Sequence, residues 1–263
     1  MHGLGGIIAI LDVIGVSFNY RTEKGVMPVL SNVSFEAGEN QFVSIIAPSG
    51  TGKTTLLKII SGLVKPDKGK ILLRGEEVTG PTPLISMIYQ DFALYPWLTA
   101  LQNVELALLH KKLPREERRR RAQAMLELVG LGGFEDYYPK EMSGGMRQRV
   151  AIARALVAEP LVLLMDEPFA SLDAITAEGL RREVLDIVFS KESTVKSVIM
   201  VSHNIEEVVE LSDKVVILGG RPATVVSQVP IELPRPRNSR DPVFNEVVDR
   251  LYSIISTTVK EAR

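Results

Sequence analysis

Residues 47–55 read APSGTGKTT and lie between an apolar, strand-like run, Gln41–Ile46, and a helix-like run over residues 56–63. A tight glycine-containing loop in that position points backbone N–H groups and the N-terminus of the next helix at the phosphates of a nucleotide. In the usual pattern of a glycine, four residues and then Gly-Lys-Ser/Thr, the lysine reaches the outer phosphates and the next hydroxyl binds magnesium. The sequence therefore predicts a phosphate-binding loop in which Lys53 and Thr54 have these two roles.

Two glycines and one alanine decide how well this loop fits the pattern. Gly50 and Gly52 supply permissive backbone angles, but Ala47 stands where the first glycine is expected. Ala47 therefore either has ordinary dihedral angles or strains the loop modestly. The alternative interpretation is a Gly/Ser/Thr turn between a strand and a helix with a surface lysine, and it loses weight as further motifs are added.

The composition argues against several classes of function. The chain has 263 residues, 45% of them hydrophobic, so it can bury a core, and it has no cysteine for disulfide or thiol chemistry. Its 31 Lys and Arg residues against 32 Asp and Glu residues give a formal charge of −1. Because there is no global basic field, nucleic acid is not an expected partner.

No stretch of the chain predicts a membrane span. The run over residues 4–11 is apolar, but it is short, has no basic start and is followed at once by Asp12, which is typical of an early strand. Nowhere else do roughly 18 to 20 uncharged residues follow one another, as a transmembrane helix requires. We therefore expect a soluble polypeptide that reaches a membrane only through a partner.

Periodicity separates strand-rich from helix-rich parts of the chain. Short β-rich pieces near the N-terminus predict an antiparallel sheet, and single apolar runs predict buried strands. The expected strands are residues 7–13, 16–20, 33–35, 41–46, 70–73, 85–89, 161–165, 197–201 and 214–218, and the expected helices are residues 56–63, 98–109, 114–129, 148–158 and 175–189. Because strands alternate with helices, the main sheet is expected to be parallel.

The domain organisation follows from this distribution of strand-rich and helix-rich segments. We assign residues 7–230 to one domain, into which a helical block of about residues 91–158 is inserted, and residues 231–263 to a C-terminal extension. The extension is expected to end in a helix with Asp241 as N-cap and Pro242 in the first helical position. Its apolar side is expected to consist of Val243, Val247, Leu251, Ile254 and Ile255.

Two acids follow a buried strand in LVLLMDEP, residues 161–168. Ligands bind at the carboxyl ends of strands in an open α/β sheet, so Asp166 is expected on the magnesium side and Glu167 as general base for an attacking water. The alternative, a pair of helix N-terminal or turn acids, would leave both acids uncompensated beside a buried strand. Gln90 and His203 also follow strands, and we expect Gln90 to touch the metal or the water and His203 to donate to the γ-phosphate. Taken singly, a glutamine in such a position is more often a solvated turn residue, and a lone histidine near a core is usually just hydrogen-bonded there.

A second glycine-bearing element, MSGGMRQR, occupies residues 142–149. Ser143, Gly144 and Gly145 at the N-terminus of the next helix make a second anion site. One nucleotide cannot easily occupy both phosphate-binding elements within a small domain. We therefore predict two chains that face each other head to tail.

The motifs follow one another in a fixed order. After the loop at residues 47–55 come Gln90, MSGGM, LLMDEPF, ASLD at residues 170–173 and VSH at residues 201–203. In this order, from about residue 10 to 230, the chain resembles an ATP-binding cassette (ABC) ATPase of a membrane transporter. The resemblance implies an α/β fold: a P-loop NTPase core with a mostly parallel sheet, an N-terminal antiparallel β subdomain and an inserted helical subdomain.

The resemblance also implies cofactors, ATP and Mg²⁺, and roles for single residues. Tyr20 would stack on adenine and Asp173 would act across the dimer interface. Thr54, Gln90 and Asp166 would attend the magnesium. The phosphates would be held by Ser49, Gly50, Thr51, Gly52, Lys53, Thr54 and Thr55, and the γ-phosphate of ATP on the partner chain by Ser143, Gly144 and Gly145.

Three segments are similar, more narrowly, to the nitrate, sulfonate and taurine importer subfamily: residues 89–104, LLMDEPFASLD and PRPR at residues 234–237. The chain departs from the family pattern mildly, with Ala47 for glycine, Met142 for leucine, Ser202 for threonine and Asn204 for aspartate. The similarity implies a second ATPase subunit in a head-to-tail homodimer, a transmembrane permease and, indirectly, an extracytoplasmic solute-binding protein. It also implies a peripheral position on the cytoplasmic face of the cell membrane.

The predicted function is ATP hydrolysis that drives uptake of a small solute through that permease. The alternative is a soluble ABC ATPase of cluster assembly, DNA repair or translation. A repair or translation ATPase would need a long coiled coil or a second cassette, and a cluster-assembly ATPase would not fit residues 89–104.

Two surface features have competing interpretations. Residues 91–99, with Pro96 and Trp97, are predicted to contact the permease, whereas a lone tryptophan more often packs inside a core. The basic run over residues 111–121 predicts a solvated helix face with Glu116 and Glu117 as partners. Attraction to a membrane surface is the alternative for that run.

Overall fold

The computed structural model describes residues 9–23 and 25–261, with side chains up to residue 257. Residues 7 and 8, at the start of the first expected strand, lie outside this range. The described residues form two compact units. The first comprises the chain up to Thr82 and from Lys196 onward, and the second is Pro83–Val195.

An antiparallel sheet opens the first unit. Its strands are β1 (Ala9–Thr22), β2 (Gly25–Gly38), β4 (Lys68–Leu73) and β5 (Glu76–Glu77), in the order β2-β1-β4-β5. The antiparallel N-terminal sheet is confirmed, but two long strands replace the three short pieces predicted. The expected break at Gly15 is a bulge inside β1, where Gly15 has φ 60° and the register shifts against both neighbouring strands. A glycine at a bulge bends a strand without ending it.

Buried parallel strands form the second sheet region of this unit. β3 (Gln41–Ile46) pairs in parallel with β8 (Ser197–Val201) and with β9 (Lys214–Gly219), and β10 (Thr224–Pro230) pairs antiparallel with β9. Every residue of β8, and of β3 after Gln41, is buried, as expected for strands covered on both faces. The bounds predicted for β3 and β8 are confirmed, whereas β10 was not predicted.

Among the residues that the structure describes, three helices belong to the first unit: α1 (Lys53–Ile60), α6 (Ile205–Leu211) and α7 (Pro242–Glu261). α7 is the expected C-terminal helix and packs against α6 and β9. Leu251 is fully buried, as predicted, but Val243 is 49% exposed and Phe244 is 2% exposed. Phe244 and Leu251 are seven positions apart and share one face, so the assignment of Val243 to that face was wrong.

The PRPR segment caps the C-terminal end of α6. The Arg237 guanidinium donates to the carbonyl oxygens of Val209 at 2.7 Å and Ser212 at 2.5 Å, and Arg235 donates to that of Leu211 at 2.5 Å. Cations at this end of a helix satisfy carbonyl groups that have no partner within the helix. Burial lowers the pKa of Arg237 to about 10. The segment that marks the subfamily similarity thus has a structural role.

The second unit combines two strands with a helical block. β6 (Ile85–Ile88) and β7 (Val162–Asp166) pair in parallel. The helices are α2 (Ala100–Leu106), α3 (Arg115–Leu128), α4 (Gly144–Val157) and α5 (Ala174–Val188), with 3₁₀ turns at Leu109–Lys111 and Pro139–Glu141. α2, α3 and α4 pack against one another, which places a helical block where periodicity predicted it.

Three helices differ clearly from the prediction. α1 runs from Lys53 to Ile60 rather than over residues 56–63. α4 begins at Gly144 rather than at residue 148, because the Ser143 hydroxyl accepts a hydrogen bond from the backbone N–H of Met146 and caps the helix. α2 ends at Leu106, and the residues after it form a separate 3₁₀ turn.

The basic run forms ion pairs across the surface of the second unit. Glu117 pairs with Arg120 and Arg121, and Glu159 pairs with Lys111 and Arg121. Hydrogen bonds from Arg120 and Arg121 lower the pKa of Glu117 to about 2. Glu117 is therefore confirmed as a partner, and Glu159 is one that was not predicted. These pairs offset much of the positive charge, which favours the solvated-face interpretation.

Gly69 allows β4 to approach β1 at the bulge. A methyl group at this position would lie 2.3 Å from the carbonyl oxygen of Ile14 and 2.4 Å from that of Gly15, and Gly69 has φ 81°. Gly75 has nearly the same backbone conformation, φ 82°, in the turn between β4 and β5, but a methyl group there would meet nothing within 4 Å. This pair therefore separates backbone strain from steric overlap.

We expect Gly75→Ala to lower the free energy of unfolding by about 1 kcal/mol, the cost of alanine in the left-handed region. Gly69→Ala should lower it by about 3 kcal/mol or more, because overlap with backbone atoms adds to the same strain. Urea unfolding followed by circular dichroism measures both losses. Equal losses in the two variants would show that β1 and β4 relax around the methyl group.

Candidate active site

The loop after β3 has the backbone conformation that the sequence predicts. Gly50 and Gly52 have φ 76° and 95°, in the left-handed region, whereas Ala47 is buried and has no positive φ. Alanine is therefore accommodated at position 47 without strain. Gly52 is required for a second reason, because a methyl group there would lie 2.4 Å from Cγ1 of Val29.

The lysine of the loop is held close to the backbone. Lys53 is 7% exposed, and its Nζ donates to the carbonyl oxygens of Ala47 at 2.9 Å and Pro48 at 3.4 Å. α1 begins at Lys53, so the first N–H groups of the helix and its positive dipole end lie at the same place. An ammonium group and a helix N-terminus together make a site for anions.

Other residues of the loop and Tyr20 surround this anion site. Ser49, Gly50 and Thr54 are exposed, whereas Thr51 and Thr55 are buried. The Tyr20 hydroxyl lies 3.0 Å from Oγ1 of Thr55, so the end of the phenol is anchored to α1. Tyr20 is 37% exposed, so part of its ring surface is accessible to a planar ligand.

His203 lies at the same sheet edge as the loop. β3 and β8 run in parallel, and the N–H of Ser202 donates to the carbonyl oxygen of Ile45 at 3.3 Å. The Ser202 hydroxyl hydrogen-bonds to Glu207 and accepts from the N–H of Asn204 at 3.1 Å. These bonds fix the turn that presents the exposed His203.

In the second unit, the predicted acids and Gln90 follow paired strands. Ile88 of β6 is opposite Met165 of β7, and Asp166 is the last residue of β7. Gln90 and the two acids therefore lie at the carboxyl edge of a parallel pair, where ligands bind in α/β sheets. Asp166 is 5% exposed.

Glu167 has an unusual backbone conformation. Its φ is 46°, in the left-handed region that residues with a Cβ rarely adopt. Such strain persists only where the surrounding structure enforces it, and it clusters at functional sites. The residue proposed as general base is thus the one that is held in a strained turn directly after β7.

Two helix N-termini meet at the second anion element. Ser143 caps α4, and Asp173 caps α5 by accepting from the N–H of Thr176 at 3.0 Å. A methyl group on Gly145 would lie 3.0 Å from Cγ2 of Thr176, so no larger side chain fits there without a shift. Hydrogen bonds from Thr176 lower the pKa of Asp173. The serine and the aspartate predicted to act across a dimer therefore lie on adjacent turns.

The sequence patterns did not indicate two side chains that hold the segment after Gln90. Arg154 of α4 and Asn103 of α2 both donate to backbone carbonyl groups of that segment. The available signal in the sequence was their position: an asparagine in the largely apolar run over residues 98–109, and an arginine among the apolar residues of α4. Buried polar side chains of this kind are retained only with partners.

Comparison with known proteins identifies the family. A sequence profile described as ABC transporter matches residues 30–170. The chain belongs to the ABC transporter family. Over 230 residues this cassette is 46% identical to an uncharacterized ABC transporter ATP-binding protein of Methanocaldococcus jannaschii, covering 88% of this chain and 85% of the relative. Over 234 residues it is 41% identical to the aliphatic sulfonates import ATP-binding protein SsuB of Bacillus cereus, covering 88% of this chain and 90% of SsuB.

Solved structures agree with this assignment. A dimeric ATP-binding cassette in a post-hydrolysis state, bound to ADP and Pi, matches with a TM-score of 0.75 and 32% identity, over 85% of this chain and 100% of that chain. The expected fold class of the ABC cassette is therefore confirmed. The names of its relatives do not favour the alternative of a non-transport ATPase.

Proposed function

We propose that this ABC cassette hydrolyses Mg-ATP as the nucleotide-binding subunit of an importer and drives uptake of a small solute through a separate permease. One observation carries the catalytic part: in each unit, the candidate residues follow the carboxyl ends of paired parallel strands. These are Lys53 and His203 in the first unit and Gln90, Asp166 and Glu167 in the second. The 41% identity to the aliphatic sulfonates import protein SsuB supports the importer part and, within the nitrate-, sulfonate- or taurine-like solutes expected from the sequence, a sulfonate.

Each proposed role follows from the chemistry of the side chain. The Lys53 ammonium, now shared by loop carbonyls, would bind the outer phosphate oxygens instead, while Tyr20 would stack on adenine. Glu167 would accept the proton of the attacking water, and His203 would donate to the γ-phosphate. Charge develops on the transferred phosphoryl oxygens, so a lysine and a helix N-terminus stabilise the transition state electrostatically.

The donor set also fits Mg²⁺. This ion prefers oxygen ligands and commonly takes one or two carboxylates together with phosphate oxygens and water. Asp166 offers a carboxylate at the end of β7 and Thr54 an exposed hydroxyl in the first turn of α1. These two residues and Gln90 would hold the ion, which would neutralise part of the phosphate charge when bound.

A second cassette completes the proposed site. Ser143, Gly144 and Gly145 at the N-terminus of α4 would bind the γ-phosphate of ATP held by the partner, with Asp173 beside them. Two solved cassettes that match this chain are described as dimeric, which supports a paired arrangement. The head-to-tail homodimer is our proposal for this chain.

The proposed contact with the permease rests on an exposed aromatic segment. Trp97 is 68% exposed and stacks obliquely against Tyr95, with ring centroids 5.4 Å apart. A tryptophan exposed to this extent does not fill the core of the helical block, so the packing alternative is wrong.

None of the helices described is long and apolar enough to cross a membrane. We propose a peripheral position on the cytoplasmic face, with an extracytoplasmic solute-binding protein acting indirectly.

We expect Trp97→Ala to reduce recovery of the cassette with its permease in detergent at least about tenfold, because a large exposed aromatic anchor is lost. Leu128→Ala is the matched control, since Leu128 is an apolar residue of the same unit with 57% exposure. Co-purification from membranes measures both, and ATP binding shows that each variant is folded. Normal assembly of the Trp97→Ala cassette would count against the contact.

A further inference from the structure

The segment between Gln90 and α2 has a backbone that two side chains hold in place. Asn103, fully buried in α2, accepts from the N–H of Tyr95 at 2.9 Å and donates to the carbonyl oxygens of Tyr95, Leu98 and Thr99 at 3.2, 3.0 and 3.0 Å. This one amide ties the part of the segment that carries Trp97 to α2. A side chain that satisfies several backbone groups fixes their relative positions.

The other half of the segment is held from α4. Arg154 donates from one guanidinium nitrogen to the carbonyl oxygen of Phe92 at 2.7 Å and from the other to that of Ala93 at 2.6 Å. Phe92 and Ala93 have φ 63° and 46°, so two consecutive residues with side chains are in the left-handed region. Such a pair is strained and requires external contacts to persist. The planar guanidinium fork supplies them.

The burial of Arg154 shows that this contact is specific. Burial lowers the pKa of Arg154, and the nearby carboxylate of Asp91 opposes this shift. Phe92, 6% exposed, packs inward beside this contact. The guanidinium is therefore held in one place by two hydrogen bonds, of which the one to Phe92 is partly buried. A lysine cannot reproduce both of them because its ammonium is a point donor.

α4 has a different function at each end. Ser143 and the glycines of the second anion element form its N-terminus, and Arg154 lies in its last turn. A helix of this length is rigid, and the two ends are roughly 16 Å apart at 1.5 Å per residue. A shift of the N-terminus toward a phosphate would therefore move the guanidinium of Arg154 and the strained carbonyls bound to it.

We propose that Arg154 is a positioning residue that transmits the nucleotide state sensed at the N-terminus of α4 to residues 91–99. This proposal rests on the proposed function, since the segment is the surface offered to the permease. In physical terms, Phe92 and Ala93 are the bistable element, and Arg154 biases their conformation according to the position of α4. Asn103 carries the displacement onward to Tyr95 and Trp97.

The test uses Trp97 as a reporter, because the chain has 1 Trp and its fluorescence therefore reports on this segment alone. Acrylamide quenching of Trp97 is measured without nucleotide, with saturating Mg-ATP and with saturating Mg-ADP, which lacks the γ-phosphate. We expect Mg-ATP to change the quenching more than Mg-ADP does. In Arg154→Lys the ATP-induced change should be at least about threefold smaller at saturation, because the coupling between the sites is lost.

Arg149→Lys is the matched control. Arg149 is also an arginine of α4, and it donates to Glu183 and to the carbonyl oxygen of Val129 rather than to residues 91–99. We expect this variant to retain the ATP-induced change. An equal loss in both variants would show that the effect is a general loosening of α4 and would overturn the proposal.

A second variant approaches the same contact from the segment. Ala93→Pro fixes φ near −65°, which is incompatible with φ 46° at this exposed position and turns the carbonyl group away from Arg154. It should lose the ATP-induced change even if Arg154→Lys proves too unstable to measure. A full ATP-induced change in either folded variant, or no change in the parent protein, overturns the proposal. Neither result depends on the permease, so it is distinguishable from a failure of the Trp97→Ala experiment.

Discussion

Glu167→Gln is expected to lower the steady-state rate of ATP hydrolysis by about 10²- to 10⁴-fold, the usual contribution of a positioned general base. Glutamine keeps the size of the side chain but cannot accept a proton from the attacking water. ATP binding should survive, because the loop at residues 47–55 and Lys53 are untouched. The variant should therefore accumulate as an ATP-bound dimer. Phosphate release measures the rate, and size-exclusion chromatography with and without Mg-ATP measures the association.

A control separates the role of the carboxylate from that of the strained turn. Glu167→Asp keeps a carboxylate, and aspartate tolerates the left-handed region better than most residues, so the turn at φ 46° is preserved. Its shorter side chain should leave a measurable rate between those of the parent and Glu167→Gln. If Glu167→Gln hydrolyses ATP at nearly the parental rate, Glu167 is not the base.

The strands of the fold were predictable where burial is complete. β8 is a continuous apolar run between polar residues, and β3 is an apolar run interrupted only by Ser44 and followed by the glycine-containing loop, so both ends of each were visible in the sequence. β1 was divided wrongly because Gly15 is typical of a turn, and only the pairing with β2 and β4 shows that it forms a bulge. β10 alternates between exposed and partly buried positions on the edge beside β9, so its apolar signal was weak.

The candidate residues of the site were predictable because their chemistry is local. Lys53 and Thr54 follow glycines at fixed spacing, and Asp166 and Glu167 directly follow a buried strand. The supporting residues were not, since Arg154 and Asn103 act on backbone carbonyls, and any segment offers those. The strain at Glu167 and at Phe92 and Ala93 also has no sequence signature, because these residue types do not favour positive φ.

The proposed composite pocket predicts a large difference between two arrangements of the same substitutions. Lys53→Met removes the ammonium from the loop, and Ser143→Asp keeps a good N-cap for α4 but adds a negative charge at the site proposed for the partner's γ-phosphate. Each variant alone should hydrolyse ATP at a rate close to zero. Ser143→Asn, a neutral cap of the same size, should retain more activity than Ser143→Asp, which isolates the effect of charge.

Heterodimers isolated through two affinity tags then distinguish a shared pocket from a self-contained one. A heterodimer of Lys53→Met with Ser143→Asp combines both lesions in one pocket and leaves the other intact, so it should show about half the parental turnover if the pockets act independently. A heterodimer of the parent with the chain carrying both substitutions has the same lesions but damages both pockets, so it should be inactive. If each chain instead had a complete pocket, the activities would be reversed: the first heterodimer would be inactive and the second would retain about half. The head-to-tail arrangement requires the first pattern, because only there does the loop of one chain meet the intact serine and glycines of the other.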